Sequence, residues 1–195
     1  MHKNISAVLV ASALVSLTLL QGCATSIKAS GTSNRAPSEA FAGFGRIYVQ
    51  PVVFKDGYKG SAAALGKIDE NMRKDLAGPV AKWNARPANG RTLTIYPVVE
   101  ELSFKSSTKR VFLGPLAGSS GVLMRMTIKD NTGKVIAMPE FFQRANAMGA
   151  GFTLGVHDNL MLTRVANLAS GYVVNNFERA VGGPTGADDQ ALAGR

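Results

Sequence analysis

The chain has 195 residues, 46% apolar and 18% charged, a balance that suits a folded core and excludes an intrinsically disordered protein. Its 22 lysines and arginines outnumber 13 acidic residues, but they form no basic stripe with interleaved aromatics and no zinc-finger spacing, so no nucleic-acid partner is expected. A mature body of about 150 residues is one domain by size.

Lys3 marks a positive tip, and Ile5 to Leu20 (ISAVLVASALVSLTLL) follows without a charge. These 16 residues fall short of the roughly 20 that cross a hydrocarbon core, and no stop-transfer charges come after them. The segment therefore reads as an export signal. Leu20-Gln21-Gly22-Cys23 closes it and contains the one cysteine of the chain.

The tip, the apolar run and Leu-x-Gly-Cys in register resemble the lipobox of bacterial lipoproteins, with Gln21 where Ala or Ser is usual. The resemblance implies cleavage before Cys23, a diacylglyceryl thioether on its sulfur and an acyl chain on its new amino group. Several chains anchor durably, since each buried methylene contributes about 0.8 kcal/mol and one chain holds only marginally. Cys23 is then unavailable for redox or metal chemistry. Ala24 in place of Asp implies, by the same resemblance, the periplasmic face of the outer membrane.

Residues 1–22 are thus the expected signal peptide, and residues 23–45 a flexible tether, because ATSIKASGTSNRAPSEAFA has no apolar periodicity. The expected α/β (α+β) domain covers residues 46–178, and 179–195 reads as a frayed tail. Arg46 to Phe54 is rich in β-branched and aromatic residues and predicts a strand, with Pro51 suiting an edge or bulge. From Ala62 to Trp83, Leu65, Ile68, Met72, Leu76, Val80 and Trp83 recur at helical steps, and Gly78-Pro79 should kink or end that helix.

Arg91 to Phe104 predicts a second strand despite Pro97. Gly121 to Asp130 alternates Val122, Met124, Met126 and Ile128 against Arg125, Thr127 and Lys129, the pattern of a half-buried strand. The Asp130-Asn131-Thr132-Gly133 turn leads into extended structure from Lys134 to Met148, making a hairpin. Asp158 is placed to cap a helix running to about Phe177. The economical architecture is a mixed sheet of about four strands with two helices packed on one face, because each helix has one apolar stripe to cover.

Candidates for chemistry are few. His157 is the one imidazole after His2 leaves with the signal, which disfavours His-based catalysis and zinc sites, and Asp158 beside it is explained by capping. Glu100 and Glu101 are strand neighbours that point to opposite faces, so they do not share a substrate; Glu100 suits a basic partner. GAGFTLG at Gly149 to Gly155 has one residue too many for a dinucleotide fingerprint and lacks its acidic partner. No cofactor and no metal are expected.

The stretch from Lys109 to Gly121 joins basic residues to glycines and exposes Phe112, Leu113 and Leu116. Lys109, Arg110, Phe112, Leu113, Gly114 and Leu116 form the candidate partner-binding or anion-binding loop, beside the plainer reading of a connector. This loop, the strand after it, Asp130-Asn131-Thr132-Gly133-Lys134, the glycine-rich break and the final helix together resemble an uncharacterised family of proteobacterial lipoproteins. That resemblance implies a small periplasmic α/β domain of no known activity. The expected function is a membrane-anchored, non-enzymatic binding or envelope-assembly module with an envelope protein partner. The alternatives are an envelope hydrolase with an unrecognised site, or an activator of a cell-wall synthase.

Overall fold

The computed structural model describes residues 27–104, 120–145 and 156–188. Its elements are β1 (Ser33–Asn34), a 3-10 turn (Phe41–Gly43), β2 (Arg46–Val49), β3 (Val53–Phe54), α1 (Ala62–Asn84), β4 (Thr92–Ser103), β5 (Gly121–Asp130), β6 (Val135–Ala137), β7 (Glu140–Arg144), α2 (Val156–Asn175) and β8 (Gly183–Pro184). The main sheet has six strands where the sequence suggests about four. Prolines account for the difference. The stretch Arg46 to Phe54 breaks around Pro51 into β2 and β3, and the stretch after Lys134 breaks at Met138-Pro139 into β6 and β7.

β2 and β3 run parallel to β4, joined through α1, while β5 lies antiparallel to β4 and carries β6 and β7 on its other side. Pro97 sits inside the central strand β4 without harm. It faces Met126 of β5, whose N–H is turned away toward the Pro139 carbonyl, so the missing donor of Pro97 falls on the side where β2 has ended and β3 has not begun.

One face of the sheet carries Ile47, Leu93, Ile95, Val99, Val122, Met124, Met126, Ile128 and Phe141, all fully buried. Both helices cover that face. α1 starts on Ser61, whose hydroxyl accepts from the Ala64 N–H at 3.3 Å, and buries Ala64, Ile68, Met72, Leu76 and Trp83. The helix does not stop at Gly78-Pro79. Pro79 takes the donor from the Asp75 carbonyl, but Asp75 is exposed, so water can supply it and the helix continues to Asn84. α2 begins at Val156, which puts Asp158 in its first turn instead of at the cap, and buries Met161, Leu162, Val165, Ala166, Ala169, Tyr172 and Val173.

Residues 27–45 are part of the domain, not a tether. Ile27 packs with Leu123 and Phe142 on the opposite face of the sheet, while Phe41 and Phe44 are fully buried in the main core. Asn34 grips β7 as a backbone mimic: its side-chain NH2 donates to the Glu140 carbonyl and its oxygen accepts from the Glu140 N–H, both at 2.8 Å. The early part of the expected tail is also ordered, because β8 pairs antiparallel with β1. Gly182 is required just before it. Its φ is +80°, and a Cβ there would lie 2.4 Å from the Asn34 carbonyl oxygen.

Arg86 ties three segments together. Its guanidinium donates to the carbonyls of Ala42 (3.1 Å), Phe44 (2.9 Å) and Trp83 (3.0 Å) and lies 4.7 Å from the Phe177 ring centroid. Trp83 stacks on the same Phe177 ring at 4.2 Å. The ends of both helices and the amino-terminal segment therefore meet at one point.

A second arginine links the same segment to β4. Arg91 makes a two-pronged pair with Glu39 at 2.8 and 2.9 Å and lies over the Phe44 ring. The hydrogen bond from Arg91 holds the Glu39 carboxyl below its ordinary value of 4.5. A carboxylate lowered on folding stabilises the fold fully above that ordinary value and loses the contribution as pH falls through its lowered folded value. Acid titration followed by circular dichroism should show the Glu39→Gln variant losing less stability than the parent below pH 4.5. Parallel curves would remove this pair from the acid response.

Candidate functional site

β2 is an edge strand, and its free edge faces α1. Gln50 N–H reaches the Ile95 carbonyl of β4, so alternation sends the N–H and C=O groups of Ile47 and Val49 outward. Ile47 is already occupied: the Asn84 side-chain oxygen accepts from its N–H and the Asn84 NH2 donates to its carbonyl, both at 2.8 Å. Val52 is occupied too, its N–H donating to Asp69 Oδ1 at 2.9 Å, while Arg73 Nε holds the other Asp69 oxygen at 2.6 Å. Among the described residues, the outward N–H and C=O of Val49 have no partner, between the filled Ile47 rung and the held Val52 N–H.

A groove of about 390 Å³ runs between this edge and the helix. Its floor is apolar, from Ile47, Val52, Met72, Leu76 and Val80, and Asp69, Arg73 and Asn84 stand on its polar rim. The helical stripe builds one wall and the strand alternation the other. An apolar floor with a few fixed polar groups suits the capture of an apolar side chain. It does not suit acid–base chemistry, since Asp69 is committed to Val52 and Arg73.

A polar cluster lies on the sheet face away from the helices. Arg125 of β5 stands between Glu100 of β4 (Nε to Oε1, 3.0 Å) and Glu140 of β7 (3.4 Å). Glu140 is buried, and its Oε1 accepts from the Ser30 N–H at 2.6 Å and from the Ser30 hydroxyl. The expected basic partner of Glu100 is therefore Arg125. One guanidinium pairs with both carboxylates, and Ser30 spends its hydroxyl on Glu140, so this cluster latches residues 27–36 to β7 and offers no activated nucleophile. Beside it, Tyr48 and Tyr96 stand 50% and 41% exposed on the same open sheet face.

Cys23, the loop residues Lys109, Arg110, Phe112, Leu113, Gly114 and Leu116, and the Gly149 to Gly155 stretch lie outside the described residues. His157 and Asp158 fall in the first turn of α2. Among the described residues, no group of three or more His, Cys, Asp or Glu is placed to hold a metal ion. Sequence reasoning missed Asn84, Asp69 and Ser30, because each acts on backbone far away in the chain. Asp69 and Arg73, four apart on a helix, were the one local signal available.

No protein-family model matches the chain, and no curated protein matches it. Among solved structures it is similar to PelC of Paraburkholderia phytofirmans, described as a dodecamer in two crystal forms, one with a point substitution. Each matches at 14% identity and a TM-score of 0.40 over 68% of this chain, covering 90% and 91% of the PelC chains.

Proposed function

We propose that the protein is a lipoprotein held at the periplasmic face of the outer membrane through Cys23, and that its domain is a non-enzymatic binding module of the envelope. The observation that carries the binding reading is the groove beside the β2 edge. A short extended segment of a partner protein can meet the Val49 N–H and C=O with two hydrogen bonds and lay one apolar side chain against Ala77 and Val80. The lipobox supports the anchor.

Two experiments test the two halves. Cys23→Ser should move the protein from the membrane pellet to the soluble periplasmic fraction and abolish incorporation of labelled palmitate; a variant that stays acylated and membrane-bound ends the anchoring reading. For the groove, a photo-crosslinking residue at the exposed Ala77 should yield one discrete adduct in living cells, and none should form from the exposed Glu178. Arg73→Glu with the probe still at position 77 should weaken that adduct severalfold. Equal crosslinking from both probe positions would refute the groove.

A further inference from the structure

We infer that the guest of the groove beside β2 is the carboxy terminus of a partner protein: an extended chain lying parallel to β2, with an apolar residue second from its end and its terminal carboxylate on Arg73. This rests on the groove reading above and adds to it which part of a partner enters, and in which direction.

The direction follows from what closes each end of the groove. Asn84 stands at Ile47 and Asp69 at Val52, so α1 runs back along β2, with Arg73, Ala77 and Val80 in between. In a parallel pairing the Val49 N–H donates to the carbonyl of the guest residue before its register partner, and the Val49 C=O accepts from the N–H of the residue after it. The register partner itself lies on the same side of the pleat as Val49, the side packed toward α1, so its side chain meets Ala77 and Val80. Beyond that point a continuing chain finds no rung, because Pro51 has no N–H and the Val52 N–H already serves Asp69. A chain that ends there forgoes no hydrogen bond.

The charges at that end suit a carboxylate. Arg73 Nε holds Asp69 Oδ2 at 2.6 Å, while neither of its two terminal nitrogens has a partner among the described residues, and the side chain is 64% exposed. Among the described residues lining the groove, Asp69 is the one acid, and both its oxygens are taken, by the Val52 N–H and by Arg73. Glu70 nearby is paired with Lys67 at 3.0 Å, and the exposed Lys74 beside Arg73 adds a second positive charge. The side-by-side donors of a guanidinium match the two oxygens of a terminal carboxylate, which an internal peptide group does not offer. An internal acidic side chain has the same oxygens but carries its chain on past Pro51.

The full chain, purified in detergent, is presented with an array of random heptapeptides, each synthesised once with a free carboxylate and once as the carboxamide. The tightest binders should have an apolar residue second from the end. Their carboxamides should bind about fivefold more weakly, the worth of one partly exposed charge pair. Arg73→Gln should lower the acids to the affinity of the carboxamides and leave the carboxamides unchanged, and Arg73→Lys should keep part of the difference. A residue that only braced the fold would weaken both forms alike. Ala77→Trp, at an exposed position on the groove wall, should abolish binding of both. Equal affinities for acid and carboxamide, with Ala77→Trp still blocking, would overturn the terminal-carboxylate inference and leave the groove standing. Binding that survives Ala77→Trp, or no binding by any peptide, would remove the groove reading and this inference together.

Discussion

Phe41→Ala is expected to destabilise the domain by about 3–5 kcal/mol, the range for removing a fully buried phenylalanine. For a domain of this size that corresponds to a fall in Tm of about 10 °C or more. Phe41 is 0% exposed, its ring lies 6.5 Å from that of Tyr172, and its N–H donates to the Asn176 carbonyl at 3.0 Å. The truncation therefore leaves a cavity under residues that also fasten the amino-terminal segment. Thermal denaturation measures the loss, and limited proteolysis around Arg35 measures the loosening. A change below about 1 kcal/mol would return this segment to the status of a surface strap.

Asn176→Ala is expected to cost about 3 kcal/mol although it removes no apolar contact, because leaving a buried polar group without a partner costs about 1–3 kcal/mol. Asn176 is 0% exposed and fills all four of its positions. Its NH2 donates to the carbonyls of Tyr172 and Gly182, and its oxygen accepts from the N–H groups of Val181 and Gly182 at 2.8 Å. Alanine strands the Val181 and Gly182 donors and frees the turn that brings β8 to β1. Hydrogen exchange should accelerate first at Val181, Gly182 and Thr185. If protection there is unchanged while global stability falls, the residue acts through α2 and not through this turn.

Much of the fold was legible because it is local. The three-and-four spacing of Ile68, Met72, Leu76 and Trp83 and the alternation of Val122, Met124, Met126 and Ile128 report a helix and a strand by themselves. Strand number was less legible, since Pro51 and Pro139 split continuous β-favouring runs without changing their composition. The segment 27–45 was misread as a tether for a different reason. Its Ala, Ser and Gly content carries no period, and what orders it is long-range: Ser30 and Asn34 on Glu140, more than a hundred residues on, and Phe41 on Tyr172.

The site was legible only in part. Met72, Leu76 and Val80 could be read as one face of a helix, and Met72 and Leu76 are indeed spent on the core, but nothing in the sequence says that Val80, at the end of that stripe, is only half-buried beside β2. Asn84 gave no signal at all. Its match to Ile47 is a tertiary event across 37 residues, visible only once the βαβ crossover has closed.

The pairing of Asn84 with Ile47 and of Asp69 with Val52 has a bearing on how copies of this chain behave together. A bare edge strand templates the strand of a neighbour, rung by rung, and the product is a growing cross-β polymer. Here a second copy arriving at β2 finds the Ile47 rung filled by Asn84 and, just past the end of the strand, the Val52 N–H held by Asp69, with Val49 between them. Two hydrogen bonds at a single residue do not propagate. The domain can admit a short guest there and still refuse to polymerise, which matters for molecules confined, as proposed, to a lipid surface where their local concentration is high.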